Sequence, residues 1–503
     1  MITSFWADAK PRAPAVFDRF GYRTFADVNA NANRIVRLLR ANGVRAGQHI
    51  ALLSSNRAEV MEIMSAALRG GYRLVPINWH FTETEVAYVL ENSDAAAFFV
   101  ESKFPAALAA ARRVSGLKAT FVIGSNDDGR GLAEAVSEFS GDDITDPHLG
   151  TTMLYTSGTT GRPKGVYRAK IGLLAERAVS LYEPDNDVQL CAGPTYHGAP
   201  LTLEVRTAMT AGVPVVFLDR WDTLEVLQTI EARHVTHAHL VPVMFQRLLA
   251  LPSHVRGAFN VSSLKRIEHG AAPCPPEVKR AMIDWFGPIL HEYYAGTEGS
   301  VGFATDSHEW LRKPGSVGRR PAGAGVCILD ASGAECPPNT AGRIFFQSEE
   351  STRFSYYNDA DKTRETYVGD YYTLGDVGFF DDDDYLFLTG RSAECIISGG
   401  VNIYPQEIDN ELITHPAVED AASVGVPNAE WGEEVKAVIQ LRAGWTASPE
   451  LAAQILSHLR GTLAGFKVPR SVDFVDHLPR NAAGKVERTT IRASYWQDRD
   501  RQI

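Results

Sequence analysis

Short apolar runs that keep returning after helical stretches do most to limit how this chain can fold. Ile50-Ala51-Leu52-Leu53 reads as a buried strand. Beyond it, Val60, Met61, Ile63, Met64 and Ala67 share one helical face. Ser54, Ser55 or Asn56 is placed to cap that helix, and Gly70-Gly71 to end it. Leu74-Val75-Pro76-Ile77 returns as a strand, and Phe98-Phe99-Val100, Phe121-Val122-Ile123 and Val213-Pro214-Val215-Val216-Phe217 repeat the pattern. Strands joined through helices run parallel, because a crossover is needed to bring the chain back to the same edge. The expected fold class is α/β, with a large N-terminal domain of mostly parallel sheets flanked by helices.

With 503 residues the chain is too long for one core. Its last part reads as a second unit. Pro405 opens a helical pattern through Ile408, Leu412 and Ile413, and strands follow near 421–426 and 435–441. Ser448-Pro449-Glu450 is a helix start with proline at the first helical position. Val472-Asp473-Phe474-Val475 gives a further strand. This is a small α+β domain. The boundary is expected near Gly390-Arg391-Ser392, dividing the chain into 1–390 and 391–503. The run Asp381 to Asp384, just before Tyr385-Leu386-Phe387-Leu388, reads as a solvated hairpin tip rather than a metal site.

Formal net charge is −11, which speaks against a general nucleic-acid binder or a polybasic membrane anchor. Cys191, Cys274, Cys327, Cys336 and Cys395 are scattered and include no Cys-x-x-Cys pair. A zinc site or disulfide framework is not expected, and a reducing cytoplasm is. The start, Met1-Ile2-Thr3-Ser4-Phe5-Trp6-Ala7-Asp8, lacks the basic-then-apolar order of a signal peptide. No run approaches the roughly 18 apolar residues of a membrane helix. A homodimer is compatible with all of this.

The most specific stretch is Tyr155-Thr156-Ser157-Gly158-Thr159-Thr160-Gly161-Arg162-Pro163-Lys164, after the strand-like Met153-Leu154-Tyr155. Glycines let the backbone approach an anion. Exposed N–H groups and hydroxyls donate to phosphate oxygens, and Lys164 adds charge. A polar linker is the plainer reading, but linkers rarely end in Arg-Pro-Lys-Gly. The Gly-x4-Gly-Lys-Ser/Thr order of nucleoside triphosphatases is absent, because Gly165 and Val166 follow Lys164.

The loop resembles a signature of the adenylate-forming superfamily, which includes acyl-CoA synthetases, peptide-synthetase adenylation domains and firefly-type luciferases. Further motifs of that superfamily follow in its order: Pro194-Thr195-Tyr196-His197, Gly270-Ala271-Ala272-Pro273, Tyr294-Ala295-Gly296-Thr297-Glu298, Gly375-Asp376, Gly390-Arg391, Ser398-Gly399-Gly400-Val401-Asn402-Ile403-Tyr404-Pro405 and Pro479-Arg480-Asn481-Ala482-Ala483-Gly484-Lys485. The resemblance implies an ATP-dependent acyl-CoA synthetase. A carboxylate and Mg·ATP give acyl-adenylate and pyrophosphate. The C-terminal domain then rotates as a mobile lid, and the CoA thiol takes the acyl group and releases AMP.

The resemblance implies the following roles, residue by residue. Lys485 contacts the carboxylate and ATP during adenylation. Glu298, with Thr156, holds Mg²⁺, and Thr297 faces the same phosphates. Thr156, Ser157, Gly158, Thr159, Thr160, Gly161 and Lys164 form the phosphate loop. Gly270, Ala271, Ala272, Pro273 and Tyr294 resemble the strip that packs adenine, and Ala295 and Gly296 belong to the same nucleotide-binding set. Asp376 accepts from the ribose hydroxyls, assisted by Arg391. His197, Gly198, Val241, Met244, Phe245 and Ala295 border the acyl pocket. Ser398, Gly399, Gly400 and Val401 line the path of CoA.

Three positions depart from the pattern. Ala295 stands where glycine is usual, Leu374 where threonine precedes Gly-Asp, and Ala393 at a hinge position usually Asp or Lys. No charged residue presents itself in the acyl segments. The expected acid is a medium- or long-chain alkanoate or a bulky alicyclic or sterol side-chain acid, with an aromatic acid as the alternative. Transfer to a carrier protein or amine, and a non-catalytic nucleotide- or acyl-binding protein, are the competing functions.

Overall fold

The computed structural model describes residues 2–124, 130–156, 163–169, 180–350, 353–391, 394–398, 401–428, 431–481 and 484–496. The chain divides into two compact units, one comprising Met1–Leu240, Pro252–Glu268 and Glu349–Glu365, the other Val241–Leu251, His269–Ser348 and Thr366–Ile503.

The first unit holds two sheets built from the predicted crossovers. Among the described residues, one is wholly parallel, in the order Arg130–Gly131, Ala119–Ile123, Ala95–Glu101, His49–Leu53, Arg73–Pro76, Thr151–Thr152. The other runs Arg266–His269, His237–His239, Gln189–Cys191, Val215–Phe217, Pro14–Asp18, parallel throughout, and ends in the antiparallel strand Gly21–Thr24. The helices Phe25–Ala41 and Ala58–Gly70 supply much of the shared core, with Ile35, Leu39, Met61 and Met64 fully buried.

The second helix ends as expected, at Gly71 with φ of 78°. It begins differently. Its cap position is Arg57, without a side-chain bond. The carboxylate of Asp18 accepts from the Ala58 N–H at 2.8 Å instead. Ser55 donates to Glu101, and Asn56 to the carbonyls of Gly193 and Leu218. The three candidate caps are drawn into longer-range bonds that satisfy buried acceptors.

The second unit adds a sheet the sequence reading did not anticipate. It is antiparallel, in the order Ser316–Arg319, Tyr385–Arg391, Asp376–Phe380, Gly342–Gln347, Tyr371–Tyr372, Tyr367–Val368, with Val326–Leu329 also on Gly342–Gln347. The acidic run forms the tip between Asp376–Phe380 and Tyr385–Arg391, held by Lys313 and Arg320.

Residues 391–503 share this unit but keep a sheet and core of their own. Gly432–Leu441 lies between antiparallel Val418–Asn428 and parallel Ser471–Val475. The helices Pro405–Thr414 and Pro449–Arg460 cover one face through Ile408, Leu412, Ile455 and Leu459.

Candidate active site

A cluster of chemistry-bearing side chains lies in the second unit. Asp376 begins one strand and Arg391 ends its neighbour, and the antiparallel register sets them directly opposite. Arg391 Nε donates to Asp376 Oδ1 at 3.1 Å. The Tyr294 hydroxyl donates to Asp376 Oδ2 at 2.7 Å. The carboxylate is 8% exposed, so both bonds hold it in one orientation. Burial and the adjacent Asp376 charge push the Tyr294 phenol far above its ordinary value, so it remains a donor. Burial opposes the Arg391 charge, yet Asp376 and Glu394 raise its pKa overall.

Tyr294 stands near the end of the strand Leu290–Gly296, and Thr297-Glu298 make the two-residue connection to Gly299–Asp306. This puts Glu298 on a hairpin tip. The pairing register shifts between Tyr294 and Gly296, so Ala295 falls at the irregularity. A Cβ on Gly296 would meet the Leu374 methyls at 2.9 Å and Glu298 Oε2 at 3.2 Å. Leu374 thus packs where a hydroxyl had been expected. Gly270 is equally confined: a Cβ there would lie 2.7 Å from the Tyr293 carbonyl oxygen. Ala271 follows with φ of 66°, a left-handed conformation that alanine adopts only at a cost.

Lys485 sits in a loop closed on itself. Its N–H donates to Asn481 Oδ1 at 3.0 Å, and its carbonyl accepts from the Asn481 N–H at 2.9 Å. Burial and the Arg391 charge lower the Lys485 pKa, while Asp376, Glu394 and Glu298 act in the other direction. A cation so placed is stabilised by an arriving anion.

The expected acyl residues of this unit surround the start of the helix Pro242–Leu249. Val241 is half-buried at its cap, Met244 is buried, and Phe245 is fully buried against the His269 ring. Ser398 and Val401 pair across the strands Ile396–Ser398 and Val401–Ile403.

In the first unit, Thr156 and Lys164 stand opposite each other where Leu154–Thr156 pairs with Lys164–Tyr167. They frame Ser157, Gly158, Thr159, Thr160 and Gly161, which lie outside the described residues, as do Gly399, Gly400, Ala393, Ala482 and Ala483. The Lys164 ammonium lies 5.6 Å from the Tyr356 ring centroid. Tyr155 anchors the hairpin by donating to Asn92 Oδ1 at 2.7 Å. His197 and Gly198 lead into an eight-residue π-helix, Ala199–Arg206, a form concentrated at functional sites.

Two buried polar pairs escaped the sequence reading. On the π-helix, Glu204 is 1% exposed and lies 3.5 Å from His239 Nδ1. Burial raises the Glu204 pKa well above the carboxylate range and lowers that of His239 to about 4. In the second unit, Lys279 Nζ reaches Glu292 Oε2 at 2.6 Å beneath the Trp310 ring. Glu292 precedes Tyr294 by two residues on its strand, so this pair secures the strand that carries the tyrosine. Only the alternation of Glu292 with Tyr294 could have signalled it.

Among the described residues no group of three His, Cys, Asp or Glu is arranged to hold a metal, and no helix is long and apolar enough to cross a membrane. A single carboxylate such as Glu298 fits Mg²⁺ carried in on a triphosphate, where phosphates and waters complete the shell.

The family model for the AMP-binding enzyme matches residues 4–356, and that for the AMP-binding enzyme C-terminal domain matches residues 407–485. The chain belongs to the AMP-binding enzyme family, the adenylate-forming superfamily its motifs resemble. It is 29% identical to the fatty acid–[acyl-carrier-protein] ligase ScoC of Streptomyces coeruleorubidus, over 100% of this chain and 97% of that protein. It is 31% identical to a feruloyl-CoA synthase of an Amycolatopsis species, over 97% of each. The ATP-bound structure of MatB from Rhodopseudomonas palustris is similar in fold, with a TM-score of 0.82, 28% identity and 99% of both chains covered.

Proposed function

We propose that this protein is an AMP-forming acyl-CoA synthetase: it activates a carboxylic acid with ATP as the acyl-adenylate, releases pyrophosphate, and passes the acyl group to CoA. The observation that carries this reading is the grouping of Asp376, Arg391, Tyr294, Glu298 and Lys485 in one unit. Asp376, oriented by Tyr294 and Arg391, has lone pairs left to accept from both ribose hydroxyls. The under-compensated Lys485 cation offsets charge as the acid's carboxylate meets the α-phosphate. Thr156, Lys164 and the residues between them receive the phosphates, and Thr297 assists. Glu298 and Thr156 would hold Mg²⁺, which when bound neutralises phosphate charge. Gly270 to Pro273, with Tyr294, form the adenine strip, and Ala295 and Gly296 complete the nucleotide-binding set.

For the second step, residues 391–503 act as a lid turning at Gly390-Arg391, and Ser398 to Val401 line the way in for CoA. His197, Gly198, Val241, Met244, Phe245 and Ala295 border an acid with an apolar body. A medium- or long-chain alkanoate or an alicyclic acid is the first reading. The feruloyl-CoA synthase relative supports an aromatic acid as the second, and the ScoC relative a carrier protein as acceptor. Labelled acid and ATP, offered separately with CoA, a phosphopantetheinyl carrier protein or a simple amine, test the acceptor. Thioester formation with CoA supports the proposal. Acyl transfer to the carrier or amine alone would overturn it.

A further inference from the structure

The loop that carries Lys485 rests on a specific apolar seat. Arg480 ties the loop to its own domain, donating to Asp420 and to the Gly484 carbonyl. The Gly484 N–H donates to the Asn481 carbonyl at 2.8 Å. This closed turn places Gly484 at φ of 76°, facing the first turn of the helix Pro242–Leu249. A Cβ added there would lie 2.7 Å from Val243 Cγ1 and 3.9 Å from Val241 Cγ2. Among the described residues no ion pair is seen between the next turn of the helix and the loop. Arg247, four residues on and so on the same face as Val243, has its pKa lowered by burial and by the Arg480 charge.

We propose that Val243 is a positioning residue for Lys485: it receives the bare face of Gly484 and fixes how far the lysine reaches during adenylation. This rests on the adenylation role given to Lys485 above. Gly484 is required for two reasons that act together, its left-handed backbone and the space Val243 leaves it. In the thioester step the carboxylate is already activated, so the seat has no part in it.

The two half-reactions of the full-length protein test this. Val243→Ala should slow adenylate formation from acid and ATP up to about tenfold, the scale of two half-buried methyl groups. The acid KM and the ranking of acids should stay constant, as should thioester formation from pre-made acyl-adenylate. Gly484→Ala should slow adenylation more, because it adds both collision and backbone strain. The double variant should recover part of that loss, since trimming Val243 makes room for the new methyl. Strictly additive losses, or equal losses in both half-reactions, would overturn the proposal. A changed acid ranking in Val243→Ala would assign Val243 to the acyl pocket instead. If the unaltered protein shows no acid-dependent adenylation, the failure lies with the proposed function rather than with this contact.

Discussion

Replacing Tyr294 by Phe removes one hydroxyl from the nucleotide end of the site and leaves the ring in place. That hydroxyl donates to Asp376 Oδ2 at 2.7 Å, and Arg391 holds only the other oxygen. A hydrogen bond to a charged group contributes about 1.5–3 kcal/mol. Without it, one oxygen of a carboxylate that is 8% exposed loses its partner. If Asp376 accepts from the ribose, its misorientation should raise the ATP KM about tenfold to a hundredfold. The preserved ring keeps its packing on Phe303 and Phe346, with centroids 6.2 and 6.0 Å away, so the fold should survive. The assay is the initial rate of pyrophosphate release against ATP concentration, repeated with 2′-deoxy-ATP. The unaltered protein should discriminate against the deoxynucleotide more strongly than Tyr294→Phe does. Equal discrimination with an unchanged ATP KM would refute the ribose assignment.

Lys485→Ala should cut adenylate formation by about a hundredfold or more while sparing thioester formation from acyl-adenylate, as measured in separate half-reaction assays. Ala295→Gly removes a methyl at the strand irregularity and should shift relative kcat/KM among straight-chain, alicyclic and aromatic acids by a few-fold to about a hundredfold, with the ATP KM held. Glu62 is predicted to make stability pH-dependent. Burial pushes its carboxyl from 4.5 to about 7, against an Asn31 bond at 2.8 Å and Arg23 at 3.7 Å. The folded state binds this proton more tightly than the unfolded one. The stabilisation is full below pH 4.5, falls as pH rises, and is lost above about 7. The span corresponds to about 3 kcal/mol. Glu62→Gln should flatten this dependence, so its thermal midpoint should gain on the unaltered protein between pH 5 and 8; parallel midpoints would disprove it.

The parallel strands that were legible, such as His49–Leu53, Ala95–Glu101 and Val215–Phe217, contain continuous apolar runs with helix periodicity between them, whereas Gln189–Cys191, His237–His239 and Arg266–His269 are too polar to be read that way. Gly71 at the helix end and Ser448 at the start of Pro449–Arg460 were local signals and held. The cap from Asp18 was not legible, since it comes from 40 residues away. Of the antiparallel sheet only the hairpin tip at Asp381–Asp384 was read, and strands such as Tyr367–Val368 and Tyr371–Tyr372, two residues each, are too short to carry an alternating pattern. Among the site residues, motifs marked Asp376 and Arg391 individually. Their direct pairing needed the hairpin register, and the bond to Tyr294 crosses 82 positions. The Glu204–His239 pair was missed because one acid among apolar neighbours looks like a surface position until the helix form and burial are known.

Acid-dependent pyrophosphate release, followed across a panel of carboxylic acids with and without CoA, tests the central claim most directly. The account predicts that one class of acid with an apolar body drives pyrophosphate release from ATP, and that CoA then yields AMP and a thioester of that acid. Nucleotide binding with no acid-dependent pyrophosphate release from any member of the panel would contradict it, and would make the protein a binding module on an enzyme's scaffold.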